Sequence, residues 1–288
     1  MNTLDYTVAE LMVYAIAAEI RDGEYLAQGI ATHLPTCAYF LARRTHAPHC
    51  YFLYSVGCTV STRQGPLSLL DMEPLALDAP LRRVGYAEIV CDMLPRVGFA
   101  EFSRPAQVDR YGNTNNVVIG DYAQPKLRFP GVGGVSDFSP YESHRAFLYV
   151  PRHDRRTFVE SLDFVSGVGH RPGESSEARV ARGVTGHGTR RLVSNLGVFE
   201  FSAVGMTALS LHAGVSAADV RAATGFEVQI APDCPVTPVP SAEALRLIRE
   251  EIDPANAREL EFLSGAPRLA RIREMIAREA APAQDRTS

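Results

Sequence analysis

Apolar residues recur near the start of the chain at Val8, Leu11, Met12, Ala15, Ile16 and Ile20, the spacing of one face of an amphipathic helix. Thr7-Val8-Ala9-Glu10 reads as a capping box, with the threonine hydroxyl accepting from the third helical amide and Glu10 reaching back. Asp22-Gly23 ends that helix. Residues 25–27 predict a short strand running into Gly29, and Pro35 suits the first turn of a second helix reaching about Arg44. Residues 50–54 form an almost wholly apolar run between Pro48 and Gly57, the pattern of a strand buried on both faces. Alternating helix and strand indicates the α/β class.

Beyond residue 100 the pattern is turn-rich. Asp109 to Asn116 precedes a strand at 117–119, and a glycine cluster at 131–134 precedes another at 146–150. Residues 167–189, rich in Gly, Arg, Ser and Glu, read as an exposed loop. Strands follow at 191–201 and 206–211, then a short helix at 217–223 capped by Ser216. Four prolines between 232 and 240 impose an extended segment. Ser241 caps a helix to Ile252, and Leu269, Ile272 and Ile276 mark a last amphipathic helix before a polar tail at 282–288. No repeat and no linker interrupts this order, so one α/β domain is expected.

Composition narrows the function classes. With 46% hydrophobic and 22% charged residues in 288, the balance is that of a soluble globular protein. The formal charge of −4 argues against non-specific nucleic-acid binding, which needs an excess of cations to displace counterions. Five cysteines, an odd number with no CxxC pair, fit a reducing compartment and neither a disulfide framework nor a zinc ribbon. No signal-like start and no long apolar run are present, so the expectation is a cytoplasmic protein without a membrane segment.

Candidate chemistry is sparse. The glycines at 131–134 can turn backbone amides toward an oxyanion, or make only a tight turn. They are not GxGxxG, because Ser136 stands where the third glycine would, and no Lys-Ser or Lys-Thr makes a Walker loop. The eight histidines show neither HxxxH nor HExxH spacing, so no metal is expected. His33 follows the first strand at its carboxyl end, where open α/β sheets place ligands, although a solvated loop histidine fits the same position. Ser55 and Cys58 follow the buried strand, in the place of a nucleophile but without a GxSxG elbow, since position 53 is Leu.

Seven strings in consistent order carry a family resemblance: residues 107–113 (QVDRYGN), 119–122 (IGDY), 126–134 (KLRFPGVGG), 193–201 (VSNLGVFEF), 209–215 (LSLHAGV), 224–228 (TGFEV) and 247–254 (LIREEIDP). Together they resemble the β-subunit of family I coenzyme A transferases, of the glutaconate type. The resemblance spans about residues 5 to 254 and implies a domain over 1–257, with a helical extension and tail at 258–288. It implies a Rossmann-like three-layer α/β/α fold with a mainly parallel sheet and an α-type partner, commonly as α2β2. No permanent cofactor is implied, coenzyme A arriving as part of an acyl-CoA substrate.

One departure bears on chemistry. In these transferases a glutamate in a Glu-x-Gly pattern follows the buried strand, attacks the thioester and then carries CoA. Here that position is Ser55, in Ser55-Val56-Gly57. Two similar branches lack the glutamate: one hydrolyses a carbon–carbon bond in a cyclic β-keto acyl-CoA, as in the steroid-ring-opening hydrolase β-subunit, and one decarboxylates a glutaconyl-type CoA. The expected activity is ring-opening hydrolysis. The alternatives are decarboxylation, transfer through another carboxylate, and a subunit that only shapes the CoA pocket. Ser55, Cys58 and His33 are the expected catalytic residues, and Thr32, Gly57, Asn113, Asn115, Gly131, Gly133 and Gly134 the expected binding residues.

Overall fold

The helix expected at the start forms as read. In the computed structural model Thr7 Oγ1 accepts from Glu10 N at 3.2 Å while Thr7 N donates to the Glu10 carboxylate at 2.8 Å. This box starts α1 (Val8–Ala18), whose buried face carries Leu11, Met12 and Ile16. The structure describes residues 5–29, 32–54, 57–71, 76–132 and 144–281. They divide into two units, Met1–Ile89 with Val239–Ser288, and Val90–Pro238.

In the first unit, β1 (Tyr25–Gln28) leads to α2 (His33–Arg44), which returns the chain to β2 (Tyr51–Tyr54), parallel to β1. A parallel pair needs such a crossover, and α2 buries every residue from Leu34 to Ala42 in providing it. Next come β3 (Thr59–Ser61) and β4 (Arg82–Arg83), both antiparallel to their neighbours. Phe52, Leu53 and Tyr54 are buried, as the apolar run predicts, and Tyr51 stacks on Tyr25 at 4.9 Å.

The end of the chain closes this unit. Helix Ala242–Arg246 widens into a π turn, Leu247–Ile252, and a 3-10 turn, Ala257–Glu261, precedes the last helix, Gly265–Ala280. Arg258, only 4% exposed, pairs with Glu10 at 3.1 Å and Asp253 at 2.8 Å, and Arg249 completes the set on Glu10 at 2.7 Å. Unpaired, these charges would each cost several kcal/mol to bury, so the set folds together or not at all. Glu261 accepts from Leu34 N at 2.8 Å and so caps α2. The last helix lies on the 68–70 turn, where Glu279 accepts from Ser68 Oγ and the Leu69 and Leu70 amides.

In the second unit β5 (Phe99–Ser103) pairs in parallel with β10 (His144–Val150), and β10 with β11 (Thr189–Ser194). Strands β12 (Gly197–Ser202) and β13 (Gly205–Leu211) continue antiparallel. Two small hairpins stand apart: β6 (Gln107–Val108) with β7 (Thr114–Asn115), and β8 (Val118–Gly120) with β9 (Pro125–Arg128). Phe158, Phe199, Leu192 and Val220 centre the core. Two buried histidines are paired within it. His153 stacks on Phe158 and bonds Ser194 Oγ and Thr224 Oγ1, each at 3.0 Å, while His212 bonds Thr237 Oγ1 and Ser194 O.

The α/β class holds, with parallel pairing at one end of each unit's strand order and antiparallel pairing at the other. Three local readings change. Residues 191–201 are two strands, because Ser194 Oγ and Asn195 Oδ1 take up the Leu196 and His153 amides and turn the chain. The expected loop at 167–189 contains helix Ser176–Ala181, capped by Ser175 and anchored by the buried Arg179, which donates to Gly169 O. Residues 99–103 form a strand that the turn-rich pattern around them masks.

Candidate functional site

In the first unit β1 ends at Gln28, β2 ends at Tyr54 and β3 starts at Thr59. The register sets Gln28 opposite Tyr54, and Tyr54 opposite Thr59. Directly opposed residues share one face of a sheet, so these polar side chains form a row. Gln28 Oε1, Tyr54 OH and Thr59 Oγ1 are all buried with no hydrogen-bond partner among the described residues, and so is His33 Nδ1. Folded proteins pair nearly all such atoms, and unpaired ones point to a ligand, a water or a catalytic role.

Local bonds set how the row is presented. Gln28 Nε2 donates to Thr36 Oγ1 at 2.8 Å, and Thr36 Oγ1 donates to Thr32 O at 2.7 Å, which pins the amide and leaves its oxygen unused. Burial raises the Tyr54 phenol above its ordinary value, so it stays a neutral donor. Burial also lowers His33, the Arg268 charge acts in the same direction, and Glu279 opposes both. The imidazole is therefore neutral at neutral pH. Thr32 stands at the N-cap of α2 without capping it, its hydroxyl donating to Gly29 O at 3.2 Å.

The turn after β2 is strained. Cys58 has φ +51°, a left-handed conformation that costs a non-glycine residue roughly 1 kcal/mol or more. A side chain on Gly57 would meet Leu77 Cδ2 at 3.4 Å. Ser55 and Val56 lie outside the described residues. A cleft of about 500 Å³ opens elsewhere in this unit, between the 63–78 segment and the last helix. Its walls carry Arg63, Arg271 and Arg278 and none of the row.

The expected binding residues of the second unit have other contacts. Asn115 is fully buried: Nδ2 donates to Gln107 Oε1 at 2.7 Å and Val118 O at 2.6 Å, while Oδ1 accepts from Val117 N. Asn113 donates to Asp109 at 2.8 Å and accepts from Gly169 N at 2.9 Å. Both amides hold the 107–115 hairpin and leave no free group for a ligand. The turn between them needs Gly112, at φ +74°, because a Cβ there would come to 2.9 Å from the Phe201 ring. Gly131 has φ +123° with no described atom within 4 Å of the position a Cβ would take, and Gly133 and Gly134 lie outside the described residues.

Sequence reasoning missed Gln28, Tyr54 and Thr59. Their signal was present only as polar atoms at the ends of apolar runs, and the register was needed to align them. It also missed Glu101, a lone acid between Ala100 and Phe102 whose carboxyl burial pushes up to about 7. No group of three or more metal-ligating side chains occurs among the described residues. No helix among them is long and apolar enough to cross a membrane.

A model of the coenzyme A transferase family matches residues 9–222. The B-type subunit of the 3-oxoadipate CoA-transferase of Pseudomonas knackmussii is 34% identical over 85% of this chain and 92% of its own length. The IpdB subunit of the cholesterol ring-cleaving hydrolase of Rhodococcus jostii is 40% identical over 54% of this chain and 60% of its own. The crystal structure of IpdAB from that organism superposes with a TM-score of 0.74 at 29% identity, covering 91% of this chain and all of that one. The decarboxylase AibA/AibB gives a TM-score of 0.76 at 30% identity, covering 88% and 98%. Family match, extended identity and shared α/β fold agree: the chain belongs to the coenzyme A transferase family, as a B-type subunit.

Proposed function

We propose that this chain is the β-type subunit of a heteromeric enzyme that hydrolyses a carbon–carbon bond in a cyclic β-keto or carboxylated acyl-CoA. The observation that carries the reading is Ser55, next in sequence after Tyr54, at the position where the resembling transferases carry the glutamate that holds CoA. An anhydride is activated enough for CoA to displace; the ester a serine would form is not, so exchange between acids has no carrier. Hydrolysis needs no carrier, only an attacking water and stabilisation of the enolate that leaves.

The unpaired row supports the second requirement. Tyr54 OH is a neutral donor and the Thr59 hydroxyl can donate as well, beside the expected positions of Ser55, Gly57, Cys58, Thr32 and His33. Gly131, Gly133 and Gly134 remain the candidate oxyanion donors that the sequence offers; one such donor is worth about 3 kcal/mol in well-studied sites. IpdAB and AibA/AibB are each named for two components, and we assign this chain an α-type partner in an α2β2 assembly. Coenzyme A enters only as part of the substrate, in the cytoplasm.

The test uses the complex co-expressed with its α-type partner. Given acyl-CoA and excess labelled acetate or succinate, it forms no labelled CoA ester, and borohydride, which reduces glutamyl thioesters, leaves it active. A cyclic β-keto acyl-CoA is opened with uptake of one water. Robust label transfer would refute the reading and show that another carboxylate carries CoA.

A further inference from the structure

The second unit holds a polar cavity that the proposed function does not use. Glu101 on β5 and His144 on β10 lie on one face of neighbouring parallel strands, with Glu101 opposite Ala146 in the register. The His144 ring stacks on Phe99 at 4.3 Å, which fixes its plane. Its Nε2 stands 3.7 Å from Glu101 Oε2, too far for a direct hydrogen bond and close enough for one water to bond both. Glu101 Oε2 is buried without a hydrogen-bond partner. The cavity beside it measures about 20 Å³ and is lined further by Ser103, Thr114 and Thr189. One water needs roughly 10–15 Å³ and two or more polar partners, so the space and chemistry fit a single molecule. The Glu101 side chain is 15% exposed, while its Oε2 is enclosed in the cavity wall.

We infer that Glu101 and His144 hold one water and that Glu101 acts on it first as general base and then as general acid, while His144 positions it, so that this pair supplies the hydrolytic water in this chain. The role in turnover rests on the hydrolase reading; the water site does not. In the step, the Glu101 carboxylate takes a proton from the water, and the water oxygen bonds to the keto carbon. The carbon–carbon bond then breaks with its electron pair on the α-carbon of the thioester, which takes the proton from Glu101. One water is consumed, its hydroxyl going to the new carboxylic acid and its hydrogen to the α-carbon.

The surroundings suit that task. On β10 Arg145 alternates to the other face, over Phe147. On β11 Thr189 lines the cavity, and the bulge between Ala146 and Phe147 sets Arg191 opposite Phe147, away from it. From the 167–170 loop the titratable side chain is His170, whose Nε2 bonds Thr189 O at 3.1 Å. Burial alone thus keeps the carboxyl protonated below about pH 7, within the range where a general acid–base group works best.

Two measurements on the co-expressed complex decide the matter. Infrared titration should show a protonated-carboxyl band that disappears as pH rises through neutrality and is absent from Glu101→Gln. If no carboxyl titrates there, the site is refuted whatever the enzyme does. Hydrolysis of a cyclic β-keto acyl-CoA by Glu101→Gln should fall at least about a hundredfold, with KM within about twofold and the limb near pH 7 gone. His144→Gln should keep the band and move that limb. A normal rate and profile in Glu101→Gln would overturn the catalytic role. A wild-type complex that opens no ring refutes the hydrolase reading instead, and the infrared result still decides the pair.

Discussion

The 107–115 hairpin and the β1–β3 row are both polar and both buried, yet they are built in opposite ways. In the hairpin every amide is answered: Asn115 bonds Gln107 and Val118, and Gln107 bonds Asp163 at 2.9 Å. In the row, Gln28, Tyr54 and Thr59 each keep an atom unanswered. A closed network rigidifies, and an open one costs stability that only a ligand or reaction can justify. The strings that mark the family fall largely on the closed kind, so a family signature and a functional site need not share residues.

The largest effect should come from opening the closed network. Asn115→Ala removes the bonds to Gln107 Oε1, Val117 N and Val118 O and should cost about 3 kcal/mol in urea unfolding. A loss under ~1 kcal/mol would mean that water replaces the amide. The second test uses His153, whose buried, doubly bonded ring has its pKa pulled down to about 3. Unfolding returns it toward the ordinary histidine value, so the unfolded state binds the extra proton. Stability from this residue is full above about pH 6.5 and falls as pH drops toward 3, with a slope approaching ~1.4 kcal/mol per pH unit. His153→Gln should flatten that acid limb, and an unchanged limb would assign it elsewhere.

Two smaller effects probe the proposed site. Gly131→Ala meets no described atom within 4 Å but must keep φ +123°, so it should cost roughly 1 kcal/mol through backbone strain. Tyr54→Phe should change stability by less than ~0.5 kcal/mol, because the lost hydroxyl has no partner among the described residues, while turnover of the complex falls at least about tenfold. A large stability loss in Tyr54→Phe would move the row into the same class as the hairpin.

Much of the first unit was legible. The capping box at Thr7, the helix around Pro35 and the apolar strand at 51–54 are local patterns, and each forms where the periodicity puts it. The helix at 176–181 was not, because its anchor is Arg179, a charged residue buried by contacts with Gly169 and Gly186. The break at Asn195 was hidden for a similar reason: the turn is made by side-chain oxygens within an apolar run. His33 was legible by its place after β1, although its closeness to the last helix was not. Glu101 lay in a stretch that read only as turn-rich, and only pairing with β10 shows that its side faces a cavity.

The ionic set around Glu10 has a consequence for the order in which the chain folds on the ribosome. Glu10 is buried, and its partners Arg249 and Arg258 lie 239 and 248 residues later in the sequence. The second unit, being continuous, has all its strands once residue 238 has emerged. The first has β1, β2 and α2 far earlier but lacks the cations for Glu10 and the Glu261 cap for α2 until residue 261 has emerged. Its apolar strands therefore wait exposed through most of translation, which makes the early segment the natural client of a chaperone.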